Sequence, residues 1–288
     1  MHIAFFGTQL TDDALSVLIN WIEIVQTQHQ LSLYEPLYKA LQKRKKKVKC
    51  WIFTKGTDVQ ADVLISFGGD GTILEALPYI LYYQTPILGI NMGRLGFLAS
   101  LNSYPIIKII RALAEKDYVL QERSMLNVYA DSPKSIAALN EVTIQKRDSS
   151  SMIAIKVFAD GILLNTYWAD GIIVATPTGS TAYSLSCGGP IIAPGTKVMC
   201  ITPVAPHSLT VRPIILDINT QLDVEVEGRI QQYMLSIDSN TFLLEPSQKI
   251  KIVQAEKTAP FILLKGEHFF NTLRNKLHWG LDQRSEII

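Results

Sequence analysis

Phe67-Gly68-Gly69-Asp70-Gly71-Thr72 sets three glycines, a carboxylate and a hydroxyl directly behind Asp62–Phe67, a stretch that reads as a buried strand. Glycines there allow dihedrals that a Cβ forbids and let backbone N–H groups approach a polyphosphate closely. The N-terminus of a following helix adds partial positive charge at the same spot. A carboxylate is out of place in a plain phosphate cradle, so Asp70 has two readings. It caps the helix expected over Thr72–Tyr83, or it takes a proton from an attacking hydroxyl. A hydroxyl ionises far above neutrality while an ordinary Asp ionises near ~3.9, so Asp70 does not remove the proton in advance. It accepts the proton as the O–P bond forms, a contribution of about 10²–10⁴-fold. The rest of the barrier falls to in-line positioning and to charge neutralisation by Mg²⁺ and backbone N–H groups.

A second polar cluster lies in the later half. Ala169-Asp170-Gly171 leads into an apolar run, Ile172–Ala175, which ends in Thr176-Pro177-Thr178-Gly179-Ser180-Thr181-Ala182-Tyr183-Ser184. Capping of a strand-to-helix turn is the plainer use of such hydroxyls. Five of them plus Tyr183 exceed what a cap requires, and a helix is expected to open there with its N-terminus toward the strand edge. Asn140-Glu141 interrupts an otherwise apolar strand, and an acid in that setting must be exposed, paired or bound to a ligand. Asn, Glu and Asp acceptors suit ribose hydroxyls and an adenine amino group. Gly89–Phe97 also follows a strand, but its glycines miss G-x-G-x-x-G spacing. It reads as a turn at the carboxyl edge of a sheet, with Arg94 either a phosphate contact or an ordinary surface arginine.

Strands are expected at His2–Phe6, Val48–Phe53, Asp62–Phe67 and Pro86–Ile90, with helices over Ser32–Lys45 and Thr72–Tyr83 between them. That alternation predicts an α/β domain, a parallel sheet with flanking helices. From about Tyr118 short β-branched strands take over: Met125–Ala130, Ala137–Gln145, Ile153–Phe158, Ile162–Trp168, Gly171–Ala175, Val198–Thr202, Leu222–Val226, Gln231–Ile237 and Lys249–Val253. Asp160-Gly161 is a two-residue hairpin signal and Glu227-Gly228 a weaker one. A last helix is expected at Phe269–Leu277. The spans predict an α/β domain over 1–100, joined by the C-terminal helix at about 258–288, and a β-rich, sandwich-like domain over 101–257.

Composition narrows the class. The net charge is +1 from 27 basic and 26 acidic residues, which gives no general attraction to nucleic acid or an anionic membrane. Lys43–Lys47 reads as a solvated helix end or, alternatively, a phosphate-steering patch. Cys50, Cys187 and Cys200 form no C-x-x-C pair, and the five histidines form no ligand-spaced cluster. No charged segment followed by an apolar core marks a signal peptide, and no apolar run reaches the ~20 residues of a membrane helix. A soluble, cytoplasmic protein is expected.

Taken together, these motifs resemble the NAD kinase family. Gly68–Thr72 is similar to its signature turn, shared with lipid kinases and phosphofructokinases. Asn140-Glu141 resembles its Asn-acidic pair; Asp170-Gly171 with Thr176–Ser186 and Gly188-Gly189-Pro190 resembles its more specific second signature, and Thr272–Leu277 its tail. The resemblance spans the chain from Ala61 onward. It implies ATP-dependent phosphorylation of NAD at the adenosine 2′-hydroxyl, with Mg²⁺ or another divalent cation, in a homodimer or homotetramer. On it Asp70 is the base, Gly71 contacts the nucleotide, and Asn140 and Glu141 bind the adenosine part. Asp170 holds the nicotinamide end, often reached from a neighbouring subunit. Ser151, Thr181, Ala182, Tyr183, Ser184, Leu185, Ser186 and Asn240 complete the NAD-binding set, Asn240 at a position often Gln. Glu75, where some members carry a basic residue, and Trp168, where Arg or Gly is frequent, depart from the pattern. Two other readings stand beside this one. A lipid kinase shares the glycine turn but has no use for Asp170 and Thr176–Ser186. A non-catalytic dinucleotide sensor binds NADP without turnover and gives Asp70 no special role.

Overall fold

The apolar run His2–Phe6 forms β1, and four of its five residues are buried. Residues 1–8, 10–93, 96–99, 101–102, 105–147 and 152–280 are described by the structure, a computed structural model. After β1, Thr11 caps α1 (Asp12–Val25), its side chain accepting the Ala14 N–H. Leu15, Leu18, Trp21, Ile22 and Val25 recur at helical spacing on its buried face. Next come β2 (Gln30–Tyr34), α2 (Glu35–Lys43) and β3 (Trp51–Phe53). The helix expected over Ser32–Lys45 is therefore split. Its first three residues extend as strand beside β1, and Pro36 at the head of α2 fixes where the helix begins.

β4 (Val63–Gly68) delivers the glycine turn, and α3 (Asp70–Ile80) follows. α3 begins two residues before the expected Thr72 and ends before the expected Tyr83. β5 (Ile87–Asn91), β6 (Leu101–Asn102), α4 (Ile106–Glu115) and β7 (Tyr118–Arg123) complete this stretch. β1, β2, β3, β4, β5 and β6 pair in parallel, and β4 and β5 are buried almost throughout. Buried runs are what a parallel sheet covered on both faces produces.

The second unit contains β8 (Leu126–Ala130), β9 (Ile136–Ala138), β10 (Glu141–Lys146), β11 (Ile153–Ala159), β12 (Ile162–Ala169) and β13 (Gly171–Ala175). A single 3₁₀ turn (Gly179–Thr181) and α5 (Tyr183–Ser186) come next. They lead to β14 (Val198–Val204), β15 (Ile214–Asp217), β16 (Leu222–Gly228), β17 (Tyr233–Ile237), β18 (Asn240–Leu244) and β19 (Ile250–Gln254). Two six-stranded sheets result, ordered β15-β14-β13-β10-β17-β18 and β12-β11-β16-β19-β8-β9. Val142, Ile144, Ile172 and Val174 of the first share one core with Ile153, Ile155, Val224 and Ile252 of the second. That is a sandwich, and β17 alternates buried and half-buried residues as its inner face requires.

Three expectations are corrected here. Ala137–Gln145 is not one strand: β9 and β10 belong to different sheets, and the break falls at Leu139-Asn140. Glu227-Gly228 is no hairpin, because both residues lie in β16, whose successor β17 is in the other sheet. The helix after Thr176 shrinks to the four residues of α5, stopped by Gly188 at φ +81 with Pro190 two residues on. Asp160-Gly161 does turn β11 into β12 with both φ positive, 49 and 79.

The chain then re-enters the first sheet: β20 (Ala259–Leu264) lies between β5 and β7, and α6 (Phe269–Leu277) follows. The compact units are accordingly Met1–Glu122 with Ala259–Ile288, and Arg123–Thr258. The first runs past the expected break at 100 because β6 pairs with β5 and the α4 residues Ile106, Ile109 and Leu113 enter its core. Among the described residues no helix is long and apolar enough to cross a membrane.

Candidate functional site

In the first unit the chemistry gathers at the carboxyl ends of β4 and β5, where open α/β sheets bind ligands. Gly69 caps α3 without any side-chain hydrogen bond, so Asp70 is the first helical residue rather than the cap. Its carboxylate turns instead to the loop after β5: Oδ2 accepts the Phe97 N–H at 2.8 Å, and Oδ1 accepts those of Leu98 and Ala99 at 3.0 Å. Gly96 permits this approach, since a Cβ there would collide with the Asp70 carboxylate. The two glycine segments read separately in the sequence are thus tied together through Asp70.

α6 contributes a cation that sequence reasoning did not single out. Lys276 Nζ lies 3.9 Å from Asp70 Oδ2 and 4.5 Å from the centroid of the Phe97 ring. Thr272 and Leu273 bury the inner face of α6, and Phe269 meets Phe97. The position of Lys276, inside a tail already noted for its resemblance, was its one available signal. Gly71 is exposed in the first turn of α3, where the Thr72 N–H donates to the Gly69 carbonyl at 3.1 Å and the N–H groups ahead of it precede any intrahelical acceptor. A pocket of about 240 Å³ opens beside it, lined by Gly68, Gly69, Thr72, Asn91 and Gly93 among others. Glu75 is exposed on α3. Arg94 lies outside the described residues.

In the second unit the break between β9 and β10 presents Asn140 and Glu141. Asp238, in the two-residue turn between β17 and β18, accepts the N–H groups of Leu139, Asn140 and Glu141 at 2.7, 2.8 and 3.1 Å. Its φ of 48 is a left-handed conformation that a short polar side chain tolerates. Burial pushes the Asp238 carboxyl above its ordinary range, although the three N–H groups pull it down. Glu141 is pushed up to about 7, first by burial and then by the charge of Asp238. Its Oε2 is buried with no hydrogen-bond partner among the described residues.

The hydroxyl cluster divides in two. Thr176 Oγ1 donates to the Leu139 carbonyl at 2.5 Å, and the Thr176 N–H donates to the Asn140 carbonyl at 2.9 Å. Gly179 packs so closely on the Asn140 carbonyl that no Cβ would fit. Ser180 bridges Pro177 and Ile192, and the fully buried Ser184 pairs with the Thr202 hydroxyl at 2.8 Å. These three hydroxyls hold the turn together, and the Ser184 side chain faces inward. Thr181, Ala182 and Leu185 are half-buried, while Tyr183, Ser186 and Asn240 are exposed. The Tyr183 hydroxyl accepts from Gln145 at 2.9 Å. Asp170 pairs with Lys146 at 2.6 Å, a partner missed in the sequence because it sits on another strand. Ser151 lies outside the described residues.

A glycine turn at the sheet edge of an α/β unit, followed by a β-sandwich with an ordered polar turn, is the layout of a two-domain nucleotide-binding protein. Residues 21–118 match the ATP-NAD kinase N-terminal domain, and residues 139–264 match the ATP-NAD kinase C-terminal domain. The chain is 41% identical over 246 residues to the NAD kinase of Flavobacterium johnsoniae, covering 84% of each. It is 45% identical over 227 residues to that of Bacteroides fragilis, covering 78% of each. The chain belongs to the NAD kinase family. Its fold is that of yeast NADH kinase complexed with NADH, at TM-score 0.87 and 24% identity over 98% of this chain and 89% of that one. It is likewise similar to an Archaeoglobus fulgidus NAD kinase in complex with ATP, at TM-score 0.70 and 24% identity over 96% and 99%. Neither the lipid kinase nor the non-catalytic sensor is supported by these relatives.

Proposed function

We propose that this protein is an ATP-dependent NAD kinase, moving the γ-phosphoryl group of ATP to the adenosine 2′-hydroxyl of NAD and releasing NADP. The observation that carries this reading is one chain with both halves of the chemistry: the turn opening α3 with Asp70, and the sandwich turn with Asn140 and Glu141. Its match along both units to a family of that activity supports it.

Asp70 is the hydroxyl's proton acceptor. A carboxylate offers about four acceptor sites; among the described residues Phe97, Leu98 and Ala99 take three, which leaves one on Oδ2. Those bonds orient the carboxylate, and Lys276 supplies a positive charge near the oxygen that receives the proton. Gly71 and its neighbours present backbone N–H groups to the phosphates. Asn140 and Glu141 take the adenosine, Glu141 with a buried oxygen suited to a ligand donor. Asp170 takes the nicotinamide end, which requires it to exchange its Lys146 partner for substrate. Thr181, Ala182, Tyr183, Leu185 and Ser186 line the adenine and ribose pocket, and Asn240 adds an amide. Ser184 acts through packing.

The described residues contain no cluster of three His, Cys, Asp or Glu side chains to cage a metal. Mg²⁺ binds mainly through phosphate oxygens and water, and enters here as part of the ATP substrate. The thiols of Cys50, Cys187 and Cys200 are all unpaired and fit a reducing, cytoplasmic setting. The working form is a homodimer or homotetramer; gel filtration with activity measured across fractions tests this. The decisive assay combines purified protein, ATP, Mg²⁺ and NAD and follows NADP. No product above background overturns the proposal.

A further inference from the structure

Asn91 ends β5 opposite Gly68, in register with the last residue of β4. The residue is 5% exposed, yet it lines the pocket at the glycine turn. The Gly93 N–H donates to its Oδ1 at 2.9 Å, which fixes the orientation of the amide. The other end, Nδ2, is buried and has no acceptor among the described residues. A buried donor left unpaired is costly, and native structures rarely leave one without a purpose.

The surroundings indicate the acceptor. Two helices begin beside this pocket, and they differ. α1 is served by its own residues: Thr11 caps it, and Asp12 and Asp13 occupy its first turn. α3 has a glycine cap with no side-chain bond, and the one acid in its first turn, Asp70, is directed to the Phe97–Ala99 backbone. The N-terminal end of α3 and the Asn91 donor therefore call for an anion with several oxygens.

We propose that Asn91 is a phosphate-binding residue, whose Nδ2 donates to an oxygen of the polyphosphate of the phosphoryl donor. This rests on the kinase reading for its substrate but not for its geometry. Nδ2 fixes the chain of phosphates from the β5 side while the α3 N–H groups hold it from the β4 side. The contact belongs to the donor alone, so it separates the two substrates kinetically.

The test uses Asn91→Asp, which keeps the acceptor for Gly93 and replaces the donor by an anionic oxygen, and Asn91→Ala, which removes the amide without adding charge. Both should raise the KM for ATP about ten- to a hundredfold, the loss of a hydrogen bond to a charged group, with Asp the more severe. The KM for NAD should stay within about twofold. Inorganic tripolyphosphate, titrated by calorimetry against wild type and Asn91→Ala without NAD, should weaken in parallel. An unchanged KM for ATP in Asn91→Ala, or equal rises for both substrates with a lowered melting temperature, would overturn the assignment. If wild type makes no NADP, the kinase reading fails while the tripolyphosphate titration still decides the role of Asn91.

Discussion

Asp70 in the first unit and Asp238 in the second each accept three consecutive backbone N–H groups, those of Phe97 to Ala99 and of Leu139 to Glu141. The hydrogen bonds are alike in number and length. What differs is the charged neighbour: Asp70 has the Lys276 ammonium 3.9 Å away, while Asp238 faces a second acid, Glu141. Asp70 also keeps 30% of its side chain exposed, and burial dominates the titration of Asp238. One clamp thus serves two ends. In the first unit it orients a carboxylate that stays partly exposed; in the second it fixes the backbone of Leu139, Asn140 and Glu141.

The largest expected effect tests that division. Asp70→Asn should cut kcat by about 10²–10⁴-fold while NAD binding, followed by calorimetry, stays as in wild type. If the variant turns over normally but melts earlier, Asp70 is a clamp like Asp238 and nothing more.

Next in size is the pH response of Glu141. Its folded-state carboxyl titrates near 7 against an ordinary 4.5, so the unfolded chain releases the proton first as pH rises. Stability from this group is full below about 4.5 and falls as pH climbs to about 7, by on the order of 3 kcal/mol. Denaturant midpoints measured across that window should flatten in Glu141→Gln; identical slopes in both proteins would remove Glu141 as the source.

Asp238→Asn sharpens the comparison from the other side. An NH₂ group facing a backbone N–H should lower stability by about 1–3 kcal/mol. The KM for NAD should rise more than kcat falls, and the Glu141 transition should move to lower pH once the neighbouring charge is gone. An unmoved transition in the stability profile would contradict the coupling.

The smallest change is Lys276→Met. A part-exposed pair at this separation contributes about 0.2–1 kcal/mol to stability, so the denaturant midpoint should fall by that small amount. Lys276→Arg should restore it. A loss in both variants would point to packing against Phe97 rather than to charge.

Much of this arrangement was legible beforehand, for identifiable reasons. The strand-turn-helix signal at Gly68–Thr72 is local, and so are Asp160-Gly161 and the buried run of β13. Asn140 and Glu141 were recognisable as polar residues in apolar company, but the break that exposes them was not. Val142 and Ile144 continue the apolar pattern beyond it, and only the sheet pairings show that the chain changes layers at Leu139. Asp238 and Lys276 were missed because their partners lie about 100 and 200 residues away in sequence. β2 was absorbed into α2 because Glu35 follows Tyr34 with no intervening loop to mark the change.

The return of β20 to the first sheet bears on biosynthesis. At the usual pace of translation the sandwich takes on the order of ten seconds to emerge. Throughout that interval β5 and β7 lack the strand that belongs between them, and Asp70 lacks Lys276. The nascent first unit therefore waits with an open sheet while a later domain is made, and its completion is a late, post-sandwich event. A fragment cut after Glu122 would stay at that stage, which makes the tail as much a part of the N-terminal unit as β1.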